Sequence, residues 1–284
     1  MEYIKSLSAI SFDELYTAHA DAFSDYERTL TKEELGKMIY RRGYVPELSF
    51  GAFYGNKLVS FTLNGIGVYN GVKTAYDTST GTIKDHRGKG LVSKIFKASI
   101  QPLRDAGVKQ YLLEVLQHNT KAVSIYRNVG FVVSREFNYF FQDKTAIKLN
   151  AEELLKTFYF QEVHFDKIEE MKGMWDFIPA WQNSFDAILR KQEDFKLIGA
   201  FDGTELIGYG IIEIAAGDIP QFAIDKGYRK KGIGSAMLQE LLKYSNHSTV
   251  RFINTETSCD SMTSFLEYHA IPLRGKQFEM TMCL

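Results

Sequence analysis

An internal repeat is the feature that most constrains the fold of this 284-residue chain. Asp85–Phe96 reads DHRGKGLVSKIF and Gly227–Leu238 reads GYRKKGIGSAML, so that Arg87 and Arg229 are equivalent positions 142 residues apart. The repeating units of a solenoid are only about 20 to 50 residues long. The sequence therefore predicts two successive domains of the same kind.

The order of elements is the same in both copies. Each repeat follows an apolar run that ends in a turn, and each opens an amphipathic helix, which indicates strand, basic glycine loop and helix. In the first copy Leu91, Ile95, Ser99 and Leu103 recur at steps of four and predict one buried helical face. Pro102 is expected to kink or end that helix, since proline removes a backbone donor. The predicted fold class is α/β.

A polar segment near Asn150 separates the two copies. The apolar run TAIKL ends near Leu149, NAEELLKT reads as a connector, and an aromatic-rich strand is predicted from Phe158. We therefore expect a first domain in residues 1–150 and a second domain in residues 151–284.

The two glycine loops are predicted to bind an anion. A helix N-terminus presents unpaired N–H groups and the positive end of the helix dipole, and glycine lets the backbone approach a phosphate closely. The arginine and lysine side chains of the loops are expected to add mobile positive charge. Two other phosphate-binding loops fit poorly. A Walker loop requires Ser or Thr where Gly90 and Gly232 stand, and a dinucleotide-binding loop requires a third glycine where Ser93 and Met237 stand.

The loops also resemble a known coenzyme-binding motif. Residues Arg229–Gly234 read RKKGIG and match the Arg-x-x-Gly-x-Gly coenzyme A pyrophosphate loop of the GNAT superfamily, whereas the first loop departs from it at Val92. The resemblance implies two tandem GNAT-like acyl-CoA N-acyltransferase domains, each with a mixed, strongly twisted sheet, and acetyl-CoA as co-substrate. The residues that it assigns to the coenzyme are Thr82, Ile83, Arg87, Gly88, Lys89, Gly90, Leu91, Val92 and Asn119 in the first copy, and Ile224, Arg229, Lys230, Lys231, Gly232, Ile233 and Gly234 in the second.

A second signature is present in the first copy. The pattern Asn119-x-x-Ala122-x-x-x-Tyr126-x-x-x-Gly130-Phe131 resembles the superfamily's helix in the acceptor and pantetheine region. Independently of the family, Asn119 is a good cap for the first turn of a helix. The resemblance implies that Tyr126 is the general acid, because a phenol with a pKa near 10 can protonate a departing thiolate.

Two carboxylates are candidates for the general base. Glu114 lies on the predicted strand before that helix and resembles the glutamate that some superfamily members, including acetylators of ribosomal-protein amines, use through a water molecule. A structural role for Glu114, as the anchor of a turn or an ion pair, stays open. Asp77 is a second candidate base, although we expect it to be a solvent-facing strand cap.

The equivalent segment of the second copy lacks the acid. Aligning Phe265 and Glu267 with the family pattern places Cys259 at the asparagine position and Leu266 at the tyrosine position. We therefore expect catalysis in the first copy. The second copy is expected to pack against it and either to help shape the acceptor pocket or to retain a vestigial or regulatory coenzyme site.

The composition disfavours several other functions. Thirty-four basic and thirty-five acidic residues give a net charge of -1, so no basic field is present to hold nucleic acid. No uninterrupted apolar run is long enough to cross a membrane. The sequence has only two cysteines, which favours a reducing compartment. Neither these cysteines nor the six scattered histidines have the spacing that is typical of metal ligands. We expect a cytoplasmic monomer or homodimer that contains no metal.

The resemblance to the GNAT superfamily implies an N-acetyltransferase that moves the acetyl group of acetyl-CoA to a primary amine by direct attack. Comparison with tandem members of the superfamily favours an amine of a small molecule. Three alternatives stay open. The first is a non-catalytic module that binds or senses acyl-CoA, and the second is an acetyltransferase that acts on protein amines. The third is a structural interaction protein that has kept the fold and lost the ligand.

Overall fold

The computed structural model of the protein describes residues 2–26, 29–149 and 158–284. The predicted boundary at Asn150 lies outside these ranges and stays a prediction. In chain order the strands are β1 (Glu2–Ser6), β2 (Phe50–Tyr54), β3 (Lys57–Tyr69), β4 (Val72–Thr82), β5 (Gln110–Leu116), β6 (Val132–Asp143), β7 (Phe158–Glu162), β8 (Phe195–Asp202), β9 (Glu205–Glu213), β10 (Gln221–Ile224), β11 (Thr249–Glu256) and β12 (Leu273–Cys283). The helices are α1 (Phe12–Ala22), α2 (Lys32–Arg41), α3 (Leu91–Asp105), α4 (Thr120–Val129), α5 (Ile168–Lys172), α6 (Phe185–Leu189), α7 (Ile233–Leu242) and α8 (Asp260–Tyr268).

Contacts within the chain define two compact units. Unit 1 comprises Met1–Arg135 together with Phe278–Leu284, and unit 2 comprises Glu136–Gln277. The division falls inside β6 and β12, so each of these strands contributes residues to both units. The predicted boundary near Asn150 rests on the polar connector. A connector carries no information about which strands pair, so the sequence does not indicate that β6 and β12 contribute to both units.

Unit 1 is built on a mixed sheet with the strand order β1-β2-β3-β4-β5-β12. The first four strands are antiparallel neighbours, whereas β4 and β5 are parallel. One apolar cluster joins Leu15 of α1 and Leu35 of α2 to Phe61 of β3. A second joins Phe96 of α3 to Tyr111 of β5. The predicted α/β fold with a mixed sheet is confirmed.

The predicted buried face of α3 is also confirmed, because the four residues spaced at steps of four are all buried. The helix continues past Pro102 to Asp105, so the proline does not end it. Proline removes only one backbone donor, and here it does so within the last turn. The chain leaves the helix at Gly107, which has a left-handed backbone with φ 77°.

Strands β4 and β5 separate halfway along their length. They are paired over Thr74–Tyr76 of β4 and Gln110–Leu112 of β5. Beyond those residues β4 continues to Thr82 and β5 to Leu116 without pairing to each other. The backbone groups that face the gap are therefore available to an extended ligand.

Unit 2 repeats this arrangement with different residues. Strands β7 to β10 form an antiparallel sheet in the order β10-β9-β8-β7, and β11 is antiparallel to β6. The parallel pairing that corresponds to β4 and β5 is a bridge between Asp218 and Arg251, after which β10 and β11 separate. Helix α7 packs into the main apolar cluster of this unit through Ile233, Met237 and Leu241.

The described residues contain neither a helix that could span a membrane nor a cluster of metal-ligating side chains. No helix there is long and apolar enough to cross a membrane. No three side chains of His, Cys, Asp or Glu in those ranges come together closely enough to hold a metal ion. Cys259 and Cys283 are both free thiols.

Candidate functional site

The two glycine loops have the same backbone conformation. Gly88 and Lys230 occupy equivalent positions with φ values of 78° and 62°, and Gly90 and Gly232 have φ values of 71° and 81°. Among the described residues, no side chain caps the N-terminus of α3 or of α7. Both helices therefore present their first N–H groups as an anion site requires.

The loop arginines are anchors, which corrects the expectation of mobile charge. Arg87 donates from Nε to the carbonyl oxygen of Thr82 at 3.1 Å and forms an ion pair with Asp25. Arg229 does the same with the carbonyl oxygen of Ile224 at 2.9 Å and with Asp176. The hydrogen bonds from Arg87 lower the pKa of Asp25 to about 2. Each guanidinium group therefore fixes its loop to the end of the preceding strand.

The lysines of the loops have more varied surroundings. Lys89 donates from Nζ to the carbonyl oxygen of Asp85 at 2.9 Å. The ammonium group of Lys231 lies over the ring of Tyr228, 4.7 Å from its centre. Lys230 lines a cavity of unit 2 that is described below. Lys230 is therefore placed to contact a ligand in that cavity.

The last position of the motif serves helix packing. A Cβ atom built on Gly234 would lie 3.1 Å from the ring of Phe265, so glycine allows α7 and α8 to approach closely. In unit 1 Val92 packs against an apolar cluster that includes Phe96. Valine keeps its backbone N–H group, and its side chain is accommodated by this packing. The departure at Val92 therefore leaves the α3 N-terminus open.

The remaining coenzyme candidates are mostly buried. Thr82 shares a hydrogen bond with Ser60, with 2.7 Å between their side-chain oxygens. The apolar candidates have buried side chains, so they can offer a ligand mainly their backbone groups; they are Ile83, Leu91, Ile224 and Ile233. Asn119 caps α4, as predicted, by accepting a hydrogen bond from the backbone N–H of Ala122 at 3.2 Å.

Tyr126 projects from α4 into the core of unit 1. Its ring contacts Phe96 and Phe131, with ring centres 5.8 Å and 6.0 Å away. Its hydroxyl group faces Asp77 and Thr80 of β4, at the point where β4 leaves β5. Burial and, next, the charge of Asp77 raise the pKa of Tyr126 well above its usual value. The phenol therefore stays protonated at neutral pH, as a general acid must.

Asp77 is buried, which corrects the expectation that it faces solvent. Its side chain is 8% exposed, and Thr80 donates a hydrogen bond to Oδ2 at 2.8 Å. Burial raises the pKa of Asp77 to about 7. The sequence did not reveal this because the residue follows an ordinary strand pattern, and its burial depends on the packing of α4.

Glu114 lies on β5 beyond the paired part of the sheet. The hydroxyl group of Tyr76 donates to Oε2 of Glu114 at 3.1 Å. Neighbouring residues of a strand point to opposite faces, so Tyr76 and Asp77 have opposite directions. At the gap, Glu114 therefore lies toward one face of the sheet, and Tyr126 lies with Asp77 toward the other face.

Unit 2 has no equivalent pair of proton carriers. Cys259 is the N-cap of α8, as Asn119 is the N-cap of α4. Counting seven residues on from each cap places the buried Leu266 where unit 1 has Tyr126, as predicted. Counting five residues back places Asn254 where unit 1 has Glu114.

Unit 2 instead contains a cavity of about 450 Å³ between the separated strands β10 and β11. It is lined by Lys230 and Gly232 of the loop, by Gln221 of β10 and by Asn254 of β11. Aromatic side chains supply much of the rest of its wall. Such a cavity has the size and composition of a small-ligand site.

Sequence comparison finds relatives that are named N-alpha-acetyltransferases. N-alpha-acetyltransferase MAK3 of Arabidopsis thaliana is 27% identical over 105 residues, which are 37% of this chain and 55% of that protein. N-alpha-acetyltransferase 30 of Schizosaccharomyces pombe is 26% identical over 121 residues, 41% of this chain and 80% of that protein. The chain thus spans little more than half the length of the first of these relatives.

Solved structures with the same fold match nearly the whole chain. A tandem GNAT protein from the clavulanic acid biosynthesis pathway has a TM-score of 0.76 at 11% identity and covers 100% of this chain and 98% of its own. A GCN5-related N-acetyltransferase from Sphaerobacter thermophilus has a TM-score of 0.72 at 12% identity, covering 99% and 95%. At these identities the likeness shows the fold.

The family itself is shown by a match over most of the sequence. The model described as the acetyltransferase (GNAT) family matches residues 12–131 and, separately, residues 152–265. The two matches coincide with the two copies inferred from the repeat. The chain belongs to the GNAT acetyltransferase family and carries its domain twice.

Proposed function

We propose that unit 1 transfers the acetyl group of acetyl-CoA to a primary amine. The observation that supports the proposal is that Tyr126 and Glu114 approach opposite faces of the sheet where β4 and β5 separate. Beside that gap, α3 begins with an uncapped N-terminus that suits the phosphates of the coenzyme. Bound acetyl-CoA supplies an acetyl group activated as a thioester.

The two side chains divide the proton transfers. Glu114 accepts a proton from the ammonium group of the acceptor, directly or through water, and leaves a neutral amine that can attack the thioester carbonyl. When the tetrahedral intermediate collapses, the C–S bond breaks and Tyr126 donates its proton to the departing thiolate. The new amide nitrogen loses its remaining extra proton to solvent, and the phenolate and the protonated Glu114 then return to their starting states by proton exchange with solvent. Asp77 faces the phenol, on the side of the acid. We therefore propose that Asp77 positions Tyr126 and that Glu114 is the base.

The same proposal gives unit 2 a coenzyme site without transfer. Its loop has the same backbone as the loop of unit 1, and Lys230 and Gly232 line its cavity. Leu266 has no proton to donate to a thiolate. Cytoplasmic location and a monomeric or dimeric state remain part of this proposal.

We propose a small-molecule amine as the acceptor and the α-amine of a polypeptide as the second candidate. The tandem arrangement, shared with a protein of clavulanic acid biosynthesis, is the ground for the first. The second is favoured by the relatives named as N-alpha-acetyltransferases. Both candidates require a primary amine next to Glu114, so the chemistry of the site is common to them.

A thiol-release assay with two acceptor panels tests the proposal. One panel contains small primary amines, and the other contains short peptides with free N-termini, each matched by the same compound with its amine blocked. We expect thiol release only with free amines, and the panel with the higher kcat/KM identifies the acceptor class. Binding of acetyl-CoA without release on either panel would instead identify an acyl-CoA-binding module.

A further inference from the structure

One polar group in the cavity of unit 2, the side-chain amide nitrogen of Asn254, has no hydrogen-bond partner among the described residues. Asn254 is 1% exposed, and its Oδ1 accepts a hydrogen bond from Nε2 of Gln277 at 2.8 Å. This bond occupies the oxygen end of the Asn254 amide group. The other end, Nδ2, is buried and has no hydrogen-bond partner among the described residues. A buried donor without an acceptor is unfavourable and calls for an explanation.

The backbone of the same residue is also strained. Asn254 has φ 62°, in the left-handed region, and it lies where the pairing of β11 with β6 is irregular between Phe252 and Thr255. Asparagine tolerates this conformation better than most residues but does not prefer it. Backbone strain of this kind persists where the surrounding structure imposes it, and it is concentrated at ligand sites. Asn254, which lines a cavity, therefore combines two unfavourable features, an unpaired buried donor and a left-handed backbone.

The position of Asn254 in the fold indicates which part of a ligand it meets. It occupies the position of Glu114, which in unit 1 lies beside the gap where the thioester is expected. A carboxylate at this position accepts a proton, whereas the Nδ2 group of an amide can only donate hydrogen bonds. A donor at the reacting end of the cavity suits a carbonyl oxygen.

We infer that unit 2 selectively binds the acylated form of coenzyme A, and that Nδ2 of Asn254 donates a hydrogen bond to the thioester carbonyl oxygen. The inference rests on the coenzyme site proposed above for this unit. Lys230 and the α7 N-terminus bind the phosphates, and Asn254 distinguishes the thioester from the free thiol. With Leu266 in place of the acid, the bound thioester is retained rather than consumed.

The tryptophans of the chain allow this site to be observed separately. The sequence has two, Trp175 and Trp181, and both belong to unit 2. Trp175 lines the cavity. A change in tryptophan fluorescence on titration therefore reports a ligand in unit 2, whether or not unit 1 is also occupied.

The experiment is a fluorescence titration of the full chain with acetyl-CoA and with coenzyme A. We expect the unaltered protein to bind acetyl-CoA about tenfold more tightly than coenzyme A, the usual scale of one buried hydrogen bond. Asn254→Asp and Asn254→Gly both tolerate the left-handed backbone and remove the amide donor. Both should weaken acetyl-CoA binding to the level of coenzyme A and leave coenzyme A binding unchanged. Asn246→Asp, the same change at an exposed residue of unit 2, should retain the preference.

Each other outcome overturns a defined part of the inference. If both variants weaken acetyl-CoA and coenzyme A equally, Asn254 contacts the pantetheine arm and the thioester assignment is wrong. If neither variant changes the preference for acetyl-CoA over coenzyme A, Asn254 does not distinguish the two compounds. A fluorescence signal that responds to neither compound at millimolar concentration removes the coenzyme site of unit 2 itself, while the proposed catalysis by unit 1 still stands.

Discussion

The loops of the two units have the same shape but reach it with different residues. Unit 1 has glycine at the first left-handed position, and unit 2 has Lys230 there. In both, the loop arginine donates to the carbonyl oxygen of the last residue of the preceding strand and pairs with an aspartate. The comparison teaches that the arginine anchor accompanies the loop conformation even where the glycines differ. The number of glycines is therefore a poor guide to which loop binds the coenzyme.

The units differ more at the gap between their separated strands. Unit 1 places Tyr126 and Glu114 there, and unit 2 has Leu266 and Asn254 at the same positions. The strand arrangement is similar, but the backbone is left-handed at Asn254 and not at Glu114, so the difference resides in a few side chains and in this local backbone conformation. Substitutions at these positions and at the loops should therefore affect the two units differently.

Glu114→Gln should lower kcat for acetyl transfer by at least about 100-fold, since an amide cannot accept the proton of the acceptor. Steady-state kinetics over a range of pH measures this effect. Glu169→Gln, the same change at a highly exposed residue of unit 2, is the control. A variant that keeps nearly full activity, with a rate still governed by a group of pKa near 7, would transfer the role of base to Asp77.

Asp77→Asn should make stability less dependent on pH. The pKa of Asp77 is raised in the folded protein to about 7 from a usual value near 3.8. The folded state therefore holds this proton more tightly, and the stabilisation is complete below about pH 4 and is lost as the pH rises to 7. Relative to the unaltered protein, the variant should gain about 3 kcal/mol between pH 5 and pH 8. Urea unfolding at both pH values measures the gain.

The exposed Asp105→Asn variant is the control for this measurement and should show no such gain. An equal stability difference at pH 5 and pH 8 for Asp77→Asn would mean that the carboxyl group titrates normally. The separation of roles between Asp77 and Glu114 would then lose its physical basis.

Gly88→Lys should destabilise the protein by about 1 kcal/mol, because lysine is unfavourable in the left-handed region. No atom lies within 4 Å of a Cβ built on Gly88, so the cost comes from the backbone alone. Lys230→Gly should stabilise the protein, by less than Gly88→Lys destabilises it. Gly55→Lys, at another open left-handed position, should match Gly88→Lys. Chemical unfolding measures the free energy of unfolding of all three variants. If Gly88→Lys leaves this free energy unchanged, backbone strain has no role in the loops.

The repeat and the helix pattern were sufficient to predict the duplicated α/β fold. The spacing of Leu91, Ile95, Ser99 and Leu103 identified the buried face of α3, because helical periodicity is a local property. The division of the units within β6 and β12 was not predictable in this way. Strand pairing between distant segments leaves no periodic signal in either segment.

The candidate site was predicted in part. The cap at Asn119 and the substitution of Leu266 for tyrosine follow from motif spacing, and the structure places both as expected. The burial of Asp77 and the ion pairs of the loop arginines were missed. Each depends on residues that are distant in sequence, Tyr126 for Asp77 and Asp25 for Arg87. No local pattern marks such partners.

The most direct test of catalysis by unit 1 is the rate of acetyl transfer by Tyr126→Phe at saturating acetyl-CoA. Phenylalanine keeps the ring contacts of Tyr126 and removes only the proton donor. The account predicts that kcat falls by about 100-fold or more while KM for acetyl-CoA changes little. The exposed Tyr54→Phe variant should retain the full rate. Full activity of Tyr126→Phe would contradict the account, because it would show that the thiolate leaves without this acid.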